Sequence, residues 1–325
     1  VKPAPFRYAR AGSLAEATAL LAAAPADTKV LAGGQSLVPM LNMRLLRPAV
    51  LVDLNGLREL AGIEPTAEGG LRIGALTRHA ELMASPAVRE RAPLLAEAAR
   101  HVGHAAIRNQ GTLGGSVAHA DPAAELPAAL VALEARLHAA GPRGPRIIAA
   151  GEFFRGLFAT ALAPDEILTA VELPAPPIAW GFAEIARRPG DFALAGVVAV
   201  VGPRRPLTPP SPGGEGGESL PALRPGGDGA ETLAALRRGS EGTEAARVVG
   251  FGVGDRPRRL AAAEQLLGGL PLDRESAARA GAVAGADCDP PGDVHGSADY
   301  RRHLATVLTE RALLQALTRR GPDRR

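Results

Sequence analysis

The sequence predicts an α+β protein. Short strands and helices alternate through its first half, and apolar strands followed by helices close the chain. A cluster of Pro174, Pro176 and Pro177 separates the two halves. The 325 residues are 46% hydrophobic but only 3% aromatic, so a sizeable core must be assembled from Ala, Leu and Val. We expect two small α/β units over about 1–60 and 61–175. A C-terminal α+β unit with a small antiparallel sheet should occupy 176–325.

Each element has a local reason. Ser13 and Glu16 stand three apart before an Ala/Leu-rich stretch, the pattern of a capping box, so a helix should run to about Ala24. Thr28–Leu31 reads as a short strand, Leu37–Leu46 as a short helix and Val50–Leu54 as a second strand. Leu60–Ile63 and Leu71–Gly74 read as a strand pair. Helices are expected at Thr77–Met83, at Leu94–Arg100 and from Pro122 to about Leu133, with Asp121 capping the last. Ala135–His138, Arg146–Ala149 and Ile167–Leu173 have strand character. Beyond the prolines, Trp180–Ala186, Ala195–Val201 and Arg247–Gly252 read as strands. Leu260–Leu267, Ser276–Ala284 and Tyr300–Leu317 read as helices. Residues 202–243 are dense in Pro, Gly and Ser and cannot bury enough apolar area to offset ordering, so a disordered insertion is expected there. The tail from Arg319 should fray.

Composition excludes several classes of function. The net charge is only +3, and no Lys/Arg run is interleaved with aromatics, which argues against nucleic-acid binding. No stretch approaches the roughly 18 apolar residues of a membrane span. One cysteine, Cys288, excludes an internal disulfide and an iron–sulfur cluster, and suits a cytoplasmic protein. His101, His104 and His119 lack a matching Cys or carboxylate pattern, so no metal site is expected. No arrangement suited to hydrolysis is visible, and no catalytic residue is assigned.

Two glycine-rich segments carry the functional signal. The first, Ala32-Gly33-Gly34-Gln35-Ser36, follows the apolar Val30-Leu31 and precedes Leu37. The second runs from Arg108 through Thr112, Leu113, Gly114, Gly115 and Ser116. Glycine lets bare N–H groups approach a ligand, and successive N–H groups form an anion-binding concavity. Two such segments predict a diphosphate gripped from two sides, and so a dinucleotide. Gly33-Gly34 alone is equally the mark of an ordinary tight turn. Arg108 fits either a surface ion pair or a contact with the diphosphate, and Asn109 either a loop bond or a ligand contact.

These segments resemble the FAD-binding medium subunit of the molybdenum hydroxylases, the carbon monoxide dehydrogenase and xanthine dehydrogenase family. Residues 32–45 (AGGQSLVPMLNMRL) and 107–130 (IRNQGTLGGSVAHADPAAELPAAL) are similar to its two diphosphate motifs. Residues 182–197 (FAEIARRPGDFALAGV) and 295–308 (HGSADYRRHLATVL) resemble its C-terminal signatures. The resemblance implies a PCMH-type, vanillyl-alcohol-oxidase-like fold whose two subdomains clasp FAD. Main-chain N–H groups of 32–36 and 112–116, with the hydroxyls of Ser36 and Thr112, would hold the pyrophosphate, flanked by Leu31 and Leu37. Glu125 would bind adenosine or ribityl hydroxyls, Leu168 would supply apolar contact, and Asp191-Phe192 would lie at the isoalloxazine ring. It further implies a large molybdopterin subunit, a small [2Fe–2S] subunit, and an acceptor such as NAD or a quinone. A self-contained FAD oxidase or dehydrogenase, and a scaffold that has lost FAD, are the competing readings.

Overall fold

The computed structural model describes residues 2–203, 244–268 and 270–320, and from residue 204 onward the expected insertion lies outside the described residues. The first unit contains β1 (Arg7–Arg10), α1 (Leu14–Ala23), β2 (Thr28–Leu31), α2 (Leu37–Asn42) and β3 (Val50–Asp53). Its sheet is parallel, in the order β1-β3-β2. Ser13 caps α1 by accepting from the Glu16 N–H at 3.1 Å. The Glu16 carboxylate, however, accepts from the Gly12 N–H at 2.8 Å, one residue before the cap. Helix α2 stops at Asn42 because Arg44 turns to φ +59°. Ala17, Leu21, Val52 and Leu54 form the core of this unit, which Leu76 and Ile167 close from the next.

The second unit opens with β4 (Ile63–Pro65) and β5 (Leu71–Gly74). Six helices follow: α3 (His79–Ala84), α4 (Pro86–Arg91), α5 (Pro93–His101), α6 (Ala105–Gln110), α7 (Leu113–His119) and α8 (Glu125–Ala132). It ends with β6 (Arg136–Gly141), β7 (Gly144–Ala149), α9 (Ala150–Phe153), the hairpin β8 (Phe154–Gly156) and β9 (Ala159–Thr160), and β10 (Ile167–Leu173). The main sheet is antiparallel, ordered β4-β5-β10-β6-β7. Every residue of α8 is buried, as a helix apolar on all sides after its first residue, Glu125, requires in a core. Asp121 does not cap it. Its carboxylate accepts from the Ala123 N–H in a local turn, and the helix starts only at Glu125.

The third unit comprises β11 (Ala179–Ala186), β12 (Ala193–Pro203), β13 (Glu244–Phe251), β14 (Arg258–Arg259), α10 (Ala261–Leu267), α11 (Arg274–Ala284) and α12 (Ala298–Arg320). Its antiparallel sheet has the order β11-β12-β13-β14. Gly202 and Pro203 belong to β12, paired with Ala245 and Glu244, so the first two residues of the expected insertion are strand. The sheet is covered on both faces. Val198 and Val200 join the core of the second unit, whereas Val197 and Ala199 face α10, α11 and α12. That double burial explains the uninterrupted apolar run of β12. Arg319 is not frayed: its guanidinium lies 3.6 Å from the Trp180 ring centre and donates to the Trp180 carbonyl at 2.9 Å. Among the described residues no helix is long and apolar enough to cross a membrane.

Helix α12 crosses β11 at Gly181, where an added Cβ would strike the Ala312 carbonyl oxygen and sit 2.6 Å from its carbon. Gly181→Ala should therefore cost about 1–3 kcal/mol of stability through overpacking. Urea unfolding measures it; an unchanged midpoint would show that the helix can lift from the sheet freely.

Candidate functional site

A cleft of about 580 Å³ separates the first unit from the second. One wall is the loop from Ala32 to Leu37. The other is formed by Gly111, Thr112, Gly114, Gly115 and Ser116, with Ile167 and Leu168 of β10 lining it as well. The volume lies within the range of small-molecule sites.

The two glycine segments touch. A Cβ on Gly33 would collide with the Gln110 carbonyl oxygen and lie 2.8 Å from the Gly111 Cα. Gly34 has φ +71°, the left-handed region that glycine enters without strain. Asn55 and Arg78 tie the seam together. The Asn55 side-chain amide donates to the Ala32 carbonyl at 2.9 Å and to Asp53 Oδ1 at 2.6 Å. Tyr8 donates to Asp53 Oδ2 at 2.5 Å. Arg78 donates to Asn55 Oδ1 at 2.7 Å and also to the Gln110 carbonyl. A continuous chain of polar contacts thus runs from β1 past the Ala32 carbonyl to the end of α6.

The two segments differ in what they offer a ligand. Among the described residues, no hydrogen bond takes the N–H groups of Gly33, Gly34, Gln35 or Ser36. They form a run of unclaimed donors lining the cleft, the arrangement an anion requires. The second segment is not a turn but the start of α7. Its Leu113 N–H donates to Thr77, Gly114 to Ala75, Gly115 to the Thr112 hydroxyl and Ser116 to the Thr112 carbonyl. Thr112 caps the helix and is nearly fully buried, yet its hydroxyl proton remains free to donate. Gly114 is required by packing, since a Cβ there would lie 2.5 Å from the Ala75 Cβ.

His79 underlies this wall and was not visible as a site residue in the sequence. Its ring is 3% exposed and sits beneath Gly111, where a Cβ would come within 2.8 Å of Cε1. Nε2 lies 2.9 Å from the Thr112 carbonyl and 3.2 Å from Ser116 Oγ. The carbonyl fixes the Nε2–H tautomer and leaves Nδ1 a buried acceptor without a partner. Burial, helped by the charges of Arg108 and Arg78, pushes its pKa down to about 4. Arg108 itself forms no ion pair among the described residues and is not part of the cleft lining. It donates to the carbonyls of Arg100, Val102 and Gly103, closing the end of α5.

Of the other expected site residues, Leu37 and Leu168 line the cleft, and Leu31 supports Gly34 from behind. Glu125 is not part of the lining. It is buried at the start of α8, and burial pushes its carboxyl up to about 8, with the Glu184 carboxylate adding to the effect. His101 stands 3.6 Å from Glu184 and 3.7 Å from Glu97. Asp191 and Phe192 are exposed on the turn between β11 and β12, outside the lining, with Phe192 69% exposed. Among the described residues no group of three or more potential metal ligands comes together.

The His79 ring is neutral in the fold but takes up a proton near pH 6.5 in the unfolded chain. The unfolded state therefore binds more protons between pH 6.5 and about 4, and stability falls as pH falls through that window. The loss reaches about 3 kcal/mol. His79→Gln, which keeps a donor for Thr112, should flatten this part of the stability profile; an equal loss of unfolding free energy between pH 6.5 and 4.5 in parent and variant would contradict it.

Comparison with known proteins agrees with this geometry. Residues 4–176 match the model of the FAD binding domain in molybdopterin dehydrogenase, and residues 223–316 match the CO dehydrogenase flavoprotein C-terminal domain. The chain is 37% identical to the 6-hydroxypseudooxynicotine dehydrogenase complex subunit alpha of Paenarthrobacter nicotinovorans, over 100% of this chain and 98% of that one. It is 33% identical to the carbon monoxide dehydrogenase medium chain of Hydrogenophaga pseudoflava, over 98% and 99% respectively. A solved carbon monoxide dehydrogenase from Hydrogenophaga pseudoflava, lacking the Mo-pyranopterin moiety of its cofactor, superposes with a TM-score of 0.82 at 34% identity, covering 98% of this chain and 99% of that chain. The unclaimed donors at Gly33–Ser36, the cleft they line and these matches lead to one conclusion: the chain belongs to the FAD-binding medium-subunit family of the molybdopterin dehydrogenases, the group of carbon monoxide and xanthine dehydrogenases.

Proposed function

We propose that this chain is the flavin-bearing electron-transfer subunit of a molybdenum hydroxylase complex. A large partner subunit would oxidise the organic substrate at a molybdenum centre, and a small partner would relay electrons through [2Fe–2S] clusters. The electrons would leave from this chain to an external acceptor such as NAD or a quinone. The observation that carries the reading is the run of free N–H groups from Gly33 to Ser36 on the cleft wall.

The residues present fit a diphosphate. Gly33, Gly34, Gln35 and Ser36 would donate main-chain N–H bonds to it, and Ala32 is held in register by the Asn55 amide. The Ser36 and Thr112 hydroxyls would add side-chain donors from opposite walls. Leu37 and Leu168 would exclude water from the apolar parts of the cofactor. Bound FAD would supply the redox chemistry, a carrier that takes up electrons and hands them on. The chain's own residues favour a carrier over a self-contained enzyme. Its single thiol, Cys288, is buried and pushed up to about 11 by that burial, so it cannot ligate a cluster. Any cluster feeding this chain would therefore be held by a partner. His79, the titratable group beneath the second wall, is locked neutral and engaged with Thr112.

Two measurements test this. Valine at Gly34 must adopt φ +71° and would stand 3.2 Å from Val38 and 3.3 Å from Leu31. Gly34→Val should purify with little or no flavin absorbance, and full flavin content would contradict the role of this loop. The full chain purified alone should hold FAD yet show no bleaching of the flavin when mixed anaerobically with N-heteroaromatic compounds. Bleaching by substrate without partner subunits would favour a self-contained oxidase, and a colourless chain that still assembles would favour the scaffold reading.

A further inference from the structure

The hairpin β8–β9 projects into the cleft from the second unit. Its pairing of Gly156 with Ala159 leaves Leu157 and Phe158 as the turn. Phe158 has φ +54°, a backbone conformation that turns normally reserve for Gly, Asn or Asp. A bulky aromatic there is strained, and such strain persists only where the surroundings hold it. Here the base of the hairpin is clamped. The Ala161 N–H donates to Phe153 at 2.7 Å, Arg146 donates to the Ala161 carbonyl at 2.7 Å, and Arg256 donates to the Arg155 carbonyl at 2.8 Å. Phe153 and Phe154 are buried beneath it, edge to face at 5.1 Å.

The tip is the opposite of its base. Phe158 is 50% exposed and lines the cleft. Its ring centre lies 5.0 Å from that of His119, tilted by 35°. His119 is the last residue of α7, the helix that starts at the diphosphate-facing wall. Six residues of helical rise separate it from Leu113, roughly 9 Å along the axis. Each ring system of a flavin dinucleotide is joined to the diphosphate by a sugar or sugar-alcohol spacer, so a ring is expected at such a remove. Core packing does not account for an aromatic side chain half exposed on a strained tip, whereas a flat ligand surface does.

We propose that Phe158, backed by His119, is the ring platform of the cleft, stacking on one of the two planar ring systems of the bound dinucleotide. This rests on the FAD-binding reading above. It assigns a function to a residue that neither glycine motif contains. The shared chemistry is aromatic stacking, and adenine and isoalloxazine are distinguished by the test.

The full chain is stripped of flavin and titrated with FAD, ADP and FMN. Replacement by glycine suits the positive φ, so Phe158→Gly should melt at the same temperature as the parent or higher. It should nevertheless bind FAD roughly 5- to 100-fold more weakly, the range that loss of one base–aromatic stack produces. Phe158→Trp should restore most of the affinity. A parallel loss for ADP identifies adenine as the stacked ring. A parallel loss for FMN, with an altered flavin fluorescence, identifies isoalloxazine. FAD affinity within twofold of the parent in Phe158→Gly would overturn the proposal, including the case where only co-purification with partner subunits is lost. A parent chain that binds no FAD would overturn the underlying reading as well, so the two failures are separable.

Discussion

Where Gly33 backs onto the Gln110 carbonyl, two units of the chain meet at main-chain distance, and the rest of the site depends on that contact. Only a residue without Cβ allows it. The contact sets the separation of the cleft walls and places the 33–36 donors opposite the start of α7. Arg78 and Asn55 hold it from the side by bridging the Gln110 carbonyl to the Ala32 carbonyl. Glycines 33 and 111 thus serve the protein before they serve any ligand. One excludes a clash with the facing main chain, and the other accommodates the His79 ring.

The seam is backed by a continuous core. The second unit shares a continuous core with one face of the C-terminal sheet, through Phe182, Val198, Val200 and Phe251. The other face of that sheet carries α10 to α12. Buried polar groups are handled in two ways. Some are engaged, as with Thr112, whose buried hydroxyl accepts from the Gly115 N–H. Between α5, α8 and β11 the Glu125 carboxyl is held neutral near pH 7 by burial, close to His101 and Glu184. Neutralisation avoids the cost of burying an unpaired carboxylate.

Much of the fold was legible because its signals are local. The Ser13 cap, the strands 28–31, 71–74 and 167–173, and the doubly buried β12 follow from residue type and period. The second glycine segment, expected to offer bare N–H groups, instead starts a helix whose first N–H groups are already bonded. Thr112 and Gly114 satisfy donors at a helix start, and sequence alone does not reveal that Ala75 and Thr77 accept the remaining N–H groups. β1 was missed because a four-residue strand with polar Arg7 and Arg10 has no apolar period. Within the site, the loop 32–37 was readable from its glycines. Asn55, Arg78, His79 and Phe158 were not, because their partners lie 23 or more residues away or, for Phe158, because its φ is set by tertiary clamping. An Asn55-Gly56 pair reads as a plain turn, and nothing in its neighbours marks it as a strut.

The central claim is that main-chain donors of the first glycine loop, held by the seam, receive the cofactor's diphosphate. Hydrogen–deuterium exchange of the full chain with and without FAD tests it at the atoms concerned. The account predicts that the amides of Gly33, Gly34, Gln35 and Ser36 exchange freely in the stripped protein and become strongly protected when FAD binds. The Leu113–Ser116 amides, already bonded within the chain, should change little. Protection confined to other parts of the cleft, with the 33–36 amides still exchanging freely, would contradict it.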